Sequence, residues 1–361
     1  MILNRLVLHN FRNYAELDLS LPDKHIALVG ENGVGKTNLL EAIYTLCVTR
    51  SFRVGNSRQL VCFDQSTVSI TGHWSSSRIG KLTTRWLWQG GRREFFYNEK
   101  RVDSAIGFFG RVPVVALTPA DAPLAAGPPQ HRRTFVDMLL SQQQPVYLEL
   151  LSNYRRVLRN RSRLLQERRQ GRKRSLAEFE PWDVQLIRQG RELIRRRIQF
   201  IEEFAPRFRT LMLQLVPDLE VDFIYRPDKT EEEWSEALAT GWTRDVELGY
   251  TAVGPHRDDF KLLLGGRDLR QHGSQGQHKL MLLGLKLTEA RMLSEQHGED
   301  PLLLLDDLFG ELDGGKIAAA SAIIPGEAQS ITTSTHPAHF QNFFPGELAM
   351  FDVSPGEVKL R

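Results

Sequence analysis

Eight residues near the start of the chain, Gly30-Glu31-Asn32-Gly33-Val34-Gly35-Lys36-Thr37, fit the pattern G-x-x-x-x-G-K-[ST] at every fixed position. A short apolar run, His25-Ile26-Ala27-Leu28-Val29, feeds into them, and Leu39, Leu40, Ile43 and Leu46 follow at helical spacing. The order strand, glycine loop, helix is the setting in which loop N–H groups and the positive helix end cradle phosphate oxygens. Gly30, Gly33 and Gly35 give the backbone its freedom, Lys36 would reach the outer phosphates, and the Thr37 hydroxyl would take one position on a magnesium ion. Glu31, Asn32, Val34 and Asn38 complete the expected nucleotide-binding stretch.

The acidic strand that should complete such a site comes roughly 270 residues later, against the roughly 100 to 150 residues of an ordinary domain. Leu302-Leu303-Leu304-Leu305 reads as a buried parallel strand, and Asp306-Asp307 follows it. Asp306 would hold the metal with Thr37; Asp307 would position and deprotonate an attacking water, a catalytic role shared with Lys36. A carboxylate one methylene shorter than Glu places that water less well, so slow turnover is expected. Between the two halves lies Ser274-Gln275-Gly276-Gln277, a helix start before Leu280, Leu283, Leu287 and Leu293. Alone it reads as a helix cap.

Composition sets the frame for these motifs. The chain has 361 residues with 41% apolar and 25% charged content, an ordinary globular balance. Cys47 and Cys62 offer no disulfide framework or zinc pattern, and no apolar run nears the roughly 18 residues of a membrane span, so a cytoplasmic protein is expected. The net charge of +3 hides an asymmetry: residues 131–210 hold 19 Arg and Lys against 9 Asp and Glu, or +10, leaving 3 − 10 = −7 for the remainder. Phosphate-bearing partners suit such a stretch.

The chain falls into two expected domains, one formed by residues 1–122 with 245–361 and the other inserted as 123–244. Short β segments from Val68 to Val115 predict an antiparallel sheet, and the stretch Ala120 to Pro129 marks the boundary. Leu151, Tyr154, Val157, Leu158, Leu164 and Leu165 form one helical stripe; Leu186, Ile187, Leu193, Ile194, Ile198 and Ile201 form another. Gly171 and Pro181 divide them into a hairpin. Val221 to Tyr225 and a Glu-rich stretch are then expected to lead back to the nucleotide-binding fold.

The ordered set of glycine loop, S-x-G-Q and apolar-Asp-Asp resembles the ABC-type ATPases. Phe11-Arg12-Asn13-Tyr14, Gly127-Pro128 with Arg132-Arg133 and Asp137, Gly254-Pro255-His256-Arg257-Asp258-Asp259 and Glu311-Leu312-Asp313 extend the likeness over essentially the whole chain. Together they resemble the RecF family of bacterial recombination mediators, ABC-type relatives of the SMC proteins. That resemblance implies an α/β fold: an ABC-type ATPase head (P-loop NTPase fold) built from both chain ends, with an inserted, mainly helical second domain. It implies a weak ATPase using ATP and Mg2+, with Arg12 and Asn13 at the nucleotide. It also implies an ATP-bound homodimer in which Ser274, Gln275, Gly276 and Gln277 of one copy meet the nucleotide of the other and Leu312 and Asp313 form a dimer loop. Its implied partners are DNA, as duplex or at single-strand junctions, with RecR and RecO, in loading RecA, and no membrane. Departures are Ala120 preceding Asp121, and Gly310 where the family has serine. His336 lies near a transporter switch position, but a solvated histidine beside Pro337 is the favoured reading.

Arg155, Arg156, Arg159, Arg161, Arg163, Arg168, Arg169, Arg172, Lys173 and Arg174 make the densest cationic run, with Arg195-Arg196-Arg197 on the next helix. Few aromatics are interleaved, which favours contact with duplex phosphates over stacking of single strands. The rival reading is the ATPase subunit of another ABC-type system that uses the insertion as a protein-docking platform. A transporter subunit is disfavoured by the insertion and by the lack of Leu-Ser-Gly-Gly-Gln.

Overall fold

A computed structural model describes the chain except residues 23, 173, 308–323, 325–327 and 341–347 and the side chains of 338 and 339. Its strands are β1 (Ile2–Phe11), β2 (Tyr14–Ser20), β3 (His25–Val29), β4 (Thr67–Ser76), β5 (Gly80–Gln89), β6 (Arg92–Tyr97), β7 (Lys100–Val102), β8 (Val114–Leu117), β9 (Val221–Arg226), β10 (Asp259–Leu264), β11 (Arg267–Asp268), β12 (Leu302–Leu305), β13 (Ser330–Ser334), β14 (Leu348–Ser354) and β15 (Glu357–Leu360). Its helices are α1 (Lys36–Val48), α2 (Ala105–Phe108), α3 (Ala122–Ala126), α4 (Pro129–Gln143), α5 (Pro145–Arg169), α6 (Glu180–Leu215), α7 (Glu233–Thr240), α8 (Trp242–Leu248), α9 (Leu269–His272) and α10 (Gln275–His297). Two compact units result, residues 1–122 with 274–361 and residues 123–273.

The first unit holds two six-stranded sheets among the described residues. One, in the order β2-β1-β4-β5-β6-β7, is antiparallel throughout, as the alternating segments before Val115 require. The other runs β15-β14-β3-β13-β12-β8 and is parallel from β14 to β8. Leu302 to Leu305 are all buried, so four successive leucines suit a strand covered on both faces. Because β3, β12 and β13 are parallel neighbours, their C-terminal ends share one edge of the sheet. The chain leaves β3 there as the glycine loop and leaves β12 there as Asp306-Asp307.

In the second unit α5 and α6 form the expected hairpin around Gly171, and Phe135, Phe204, Phe208, Phe223 and Phe260 pack as a cluster with ring centroids 5.4–6.5 Å apart. Burying each ring is worth roughly 1.5–3 kcal/mol. The return to the first unit comes at Ser274, not at residue 245. Its cause is a long-range pairing: β10 runs antiparallel to β9, with Phe260 opposite Tyr225, which holds residues 245–273 in the inserted unit. That unit is thus helices plus a three-stranded sheet, β11-β10-β9.

The hexapeptide Gly254 to Asp259 is the polar centre of this unit. Asp258 is buried and accepts from Arg197 Nη1 at 2.7 Å, from the Asp228 backbone at 2.8 Å and from the Tyr225 hydroxyl. Arg132 donates to both Asp259 oxygens. Gly254 sits at φ 122°, and a Cβ there would lie 2.4 Å from the Trp234 ring, so no larger residue fits.

Candidate nucleotide site and cationic face

The site forms where the three parallel strands end. Lys36 opens α1, and its Nζ donates to the Gly30 carbonyl at 2.6 Å and the Glu31 carbonyl at 2.7 Å. Burial holds its pKa below the ordinary lysine value, while Asp307 and Asp306 act against that shift. Gly30 is required by close approach, since a Cβ would lie 2.4 Å from the Val353 carbonyl oxygen; Gly35 is required by φ 120°. The Thr37 hydroxyl donates to the Asp306 carboxylate at 2.9–3.0 Å, and the Thr333 hydroxyl donates to Asp306 Oδ1 at 2.7 Å. Burial raises the Asp306 pKa, opposed by those two hydrogen bonds. Asp307 sits in the left-handed region at φ 52°, its N–H bonded to Thr333 Oγ1 and its side chain exposed to the cleft.

The cleft measures about 370 Å³ and is lined by Asn32, Gly33, Gly35, Lys36, Thr37 and Asn38 on one side and Asp306, Asp307, Thr333 and Thr335 on the other. Arg53 and Pro119 also line it. Sequence reasoning missed Arg53 and Thr333. Arg53, in a loop beyond α1 and bonded to Asn38 Oδ1 at 2.8 Å, adds a second cation to the cleft. Arg12 lies elsewhere: its guanidinium is bidentate on the buried carboxylate of Glu41 and also donates to the Gln59 carbonyl. Asn13 braces the loop, donating to the Val34 carbonyl at 3.0 Å and accepting from Asn38. Neither residue lines the cleft, and Asn13 reaches it through its bond with Asn38.

Ser274 caps α10, accepting from the Gln277 N–H at 3.3 Å while Gln277 Oε1 accepts from the Ser274 N–H at 2.8 Å. Ser274, Gln275 and Gly276 are exposed, and none of the four motif residues lines the cleft. Leu312 and Asp313 lie outside the described residues. His336 is exposed just beyond β13, its N–H bonded to Ser334 Oγ at 3.2 Å.

The cationic run divides sharply. Arg161, expected to face DNA, is 0% exposed and donates to Asp183 at 2.6 Å, Asp245 at 2.5 Å and Thr251 at 2.7 Å. It belongs to the core because it falls on the buried stripe of Val157 and Leu165. Arg197 is likewise buried between Asp137 and Asp258. Arg174 is tied to Glu167 and Glu178, and Arg168 lies over the Trp242 ring and donates to the Arg174 carbonyl. Arg155 pairs with Asp137, Arg169 bonds the Leu248 carbonyl, and Arg172 is a loose, exposed partner of Glu167. Lys173 is outside the described residues. Arg156 and Arg159 are exposed with no partner among the described residues, and Arg163 reaches Glu167 only at 3.4 Å while 81% exposed. These three share one face of α5.

The parallel sheet, the loop at its edge and the acidic pair beside it define the class of protein: an ABC-type ATPase. The chain belongs to the RecF/RecN/SMC N terminal domain family, whose model matches residues 2–351. It is similar to the DNA replication and repair protein RecF of Salinibacter ruber, 35% identical over 99% of this chain and 91% of that one. The RecF of Moorella thermoacetica is 37% identical over 92% and 90% respectively. The solved structure of the recombination mediator protein RecF with ATP, described within the RecFOR pathway, matches with a TM-score of 0.90 at 28% identity, covering 99% of this chain and 97% of that one. An SMC head bound to the winged-helix domain of ScpA shares the fold at a TM-score of 0.58 and 14% identity, over 100% and 97% of the two chains.

Proposed function

We propose that this chain is an ATP-dependent DNA-binding protein of recombinational repair, acting as a dimer formed on ATP. The observation that carries the reading is the half-built site: the glycine loop and Asp306-Asp307 meet in one cleft, while the exposed Ser274 to Gln277 helix start stands outside it. N–H groups at a helix start suit a γ-phosphate, so a second copy supplies what the cleft lacks. ATP would bind with its phosphates along Gly30 to Lys36, where Lys36 exchanges its two loop carbonyls for phosphate oxygens. Mg2+ fits the hard oxygen donors of Thr37 and Asp306, with nucleotide oxygens filling the remainder; among the described residues no cluster of three or more His, Cys, Asp or Glu provides another metal site. When bound, that ion neutralises phosphate charge. Asp307 holds and deprotonates the attacking water, at a turnover well below the enzyme median of roughly 10 per second.

Arg156, Arg159 and Arg163 would engage duplex phosphates. By family likeness the ATP-bound dimer binds near single-strand gaps or junctions and works with RecR and RecO to load RecA, supporting replication restart and SOS induction. The test is DNA binding with ATP and with ADP, for wild type and an Arg156→Ala/Arg159→Ala/Arg163→Ala variant. Tighter binding with ATP is expected, with a salt slope reduced by roughly 1 per arginine removed. Equal affinity in both nucleotides would sink the gating idea.

A second reading, a protein-docking platform, has one observation in its favour: a groove of about 670 Å³ in the inserted unit with Leu150 and Ile187 beside Arg188 and Gln189. Binding that stays flat from low to high salt would favour it.

A further inference from the structure

The turn after α8 is fastened to α5 on both sides of Tyr250. Arg169 donates to the Leu248 carbonyl at 3.2 Å, and Arg161 donates to the Thr251 hydroxyl at 2.7 Å. Gly249 between them is in the left-handed region at φ 77°, where a Cβ would lie 3.2 Å from Arg169 Cδ and 3.6 Å from Gln166 Cγ. Gln166 is itself exposed, about one helical turn beyond Arg163. The turn therefore sits at the rim of the arginine face. Tyr250 is left 40% exposed there, and the Arg257 guanidinium lies over its ring, 5.1 Å from the centroid.

Arg257 is equally well anchored. It belongs to the hexapeptide whose Pro255 carbonyl accepts from Arg197 at 2.6 Å and whose Asp258 carbonyl accepts from Arg133. Among the described residues neither the Tyr250 hydroxyl nor the Arg257 guanidinium has a hydrogen-bond partner, and Arg257 is exposed. The exposed guanidinium covers one face of the half-exposed ring, so the pair, held by two pinned turns, offers a base the outer plane of a cation backed by an aromatic ring, with N–H donors at its rim.

We infer that Tyr250 and Arg257 form a stacking site for an unpaired nucleobase at the edge of a bound duplex. The inference rests on the DNA-binding reading above and assigns residues to the junction named there. Bases inside a duplex already stack on both faces and a terminal pair is held by its partner, so a base freed from pairing, able to turn onto Tyr250 and Arg257, uses this surface best. Its adjoining phosphate comes within the donors of Arg257, while the duplex phosphates follow Arg156, Arg159 and Arg163. Tyr250 and Arg257 thus read the unpaired part of such a junction without regard to sequence.

The test uses the full chain with ATP and Mg2+ and two oligonucleotide probes, a blunt duplex and the same duplex with a short overhang carrying 2-aminopurine at its unpaired positions. Wild type should bind the overhang probe about 10-fold more tightly than the blunt one and alter its 2-aminopurine emission, a typical size for one base–aromatic stack. Tyr250→Ala should bring the two affinities within about 2-fold by loss on the overhang probe alone, and Tyr250→Phe should restore the preference. A preference that survives Tyr250→Ala overturns this inference while leaving DNA binding in place. Failure of wild type to bind either probe overturns the DNA-binding reading, and this one with it.

Discussion

The Thr37 hydroxyl donates to Asp306 at 2.9 Å although 269 positions separate the two residues. This bond joins the N-terminal loop to the acidic strand, and it follows from β3 and β12 flanking β13 in parallel register. Asp306→Asn keeps the shape of the side chain and removes its charge. ATP affinity measured calorimetrically with Mg2+ should fall at least about 10-fold, equivalent to about 1.4 kcal/mol, with little change when Mg2+ is omitted. Equal losses in both conditions would mean that Asp306 does not hold the metal.

Lys36 offers a second test, because its Nζ satisfies two loop carbonyls at 2.6 and 2.7 Å from a single point. A planar guanidinium cannot reproduce that geometry. Lys36→Arg should therefore abolish ATP binding and ATP-driven dimerisation while leaving the folded chain intact by circular dichroism. Dimerisation on ATP that persists in the variant contradicts the assignment.

Arg161→Ala should act on stability, not on DNA. It strips the compensating charge from Asp245, which is buried, and breaking such a pair costs about 3–5 kcal/mol. Denaturant unfolding should show that loss, whereas Arg159→Ala should change stability by no more than about 0.5 kcal/mol. Similar midpoints for both variants would place Arg161 at the surface.

How these two arginines read in sequence shows where inference from sequence stops. Gly30 to Thr37 and Asp306-Asp307 are contiguous motifs whose flanking strand and helix patterns are local, so both were legible. The partitioning of the arginines was not, although a signal existed: Arg161 falls four residues from both Val157 and Leu165, on the stripe that faces inward. Charge density alone does not separate this inward arginine from its outward neighbours; periodicity does. Arg53 and Thr333 reach the cleft only through tertiary placement of a loop and of β13, for which no local pattern stands. The boundary at Ser274 depends on β9 pairing with β10 across more than thirty residues, a relation fixed by the folded core. Arg12 and Asn13 rest on likeness alone: no local pattern tells that Arg12 pairs with Glu41 or that Asn13 bonds Val34 and Asn38.

His256 predicts a pH dependence. The Thr251 carbonyl can only accept, so Nε2 carries the proton at 3.0 Å and Nδ1 accepts from the Tyr154 hydroxyl at 2.8 Å, which fixes a neutral ring. Burial lowers its pKa from 6.5 to about 4. The unfolded chain thus binds a proton where the folded chain does not, so this contribution is present above pH 6.5 and is lost as pH falls toward 4, up to about 3 kcal/mol. His256→Asn should flatten the slope of unfolding free energy against pH across that window relative to wild type. An unchanged slope would show that the ring titrates normally in the fold.

On the proposed reading, one chain carries half of a working site and Ser274 to Gln277 of a second copy completes it. Sedimentation velocity of wild type and Ser274→Arg with ATP and with ADP, each with Mg2+, tests it most directly. Wild type should dimerise with ATP and stay monomeric with ADP, and Ser274→Arg should remain a monomer that still binds ATP. A wild-type chain that sediments identically in both nucleotides, or a Ser274→Arg chain that dimerises normally on ATP, would contradict it.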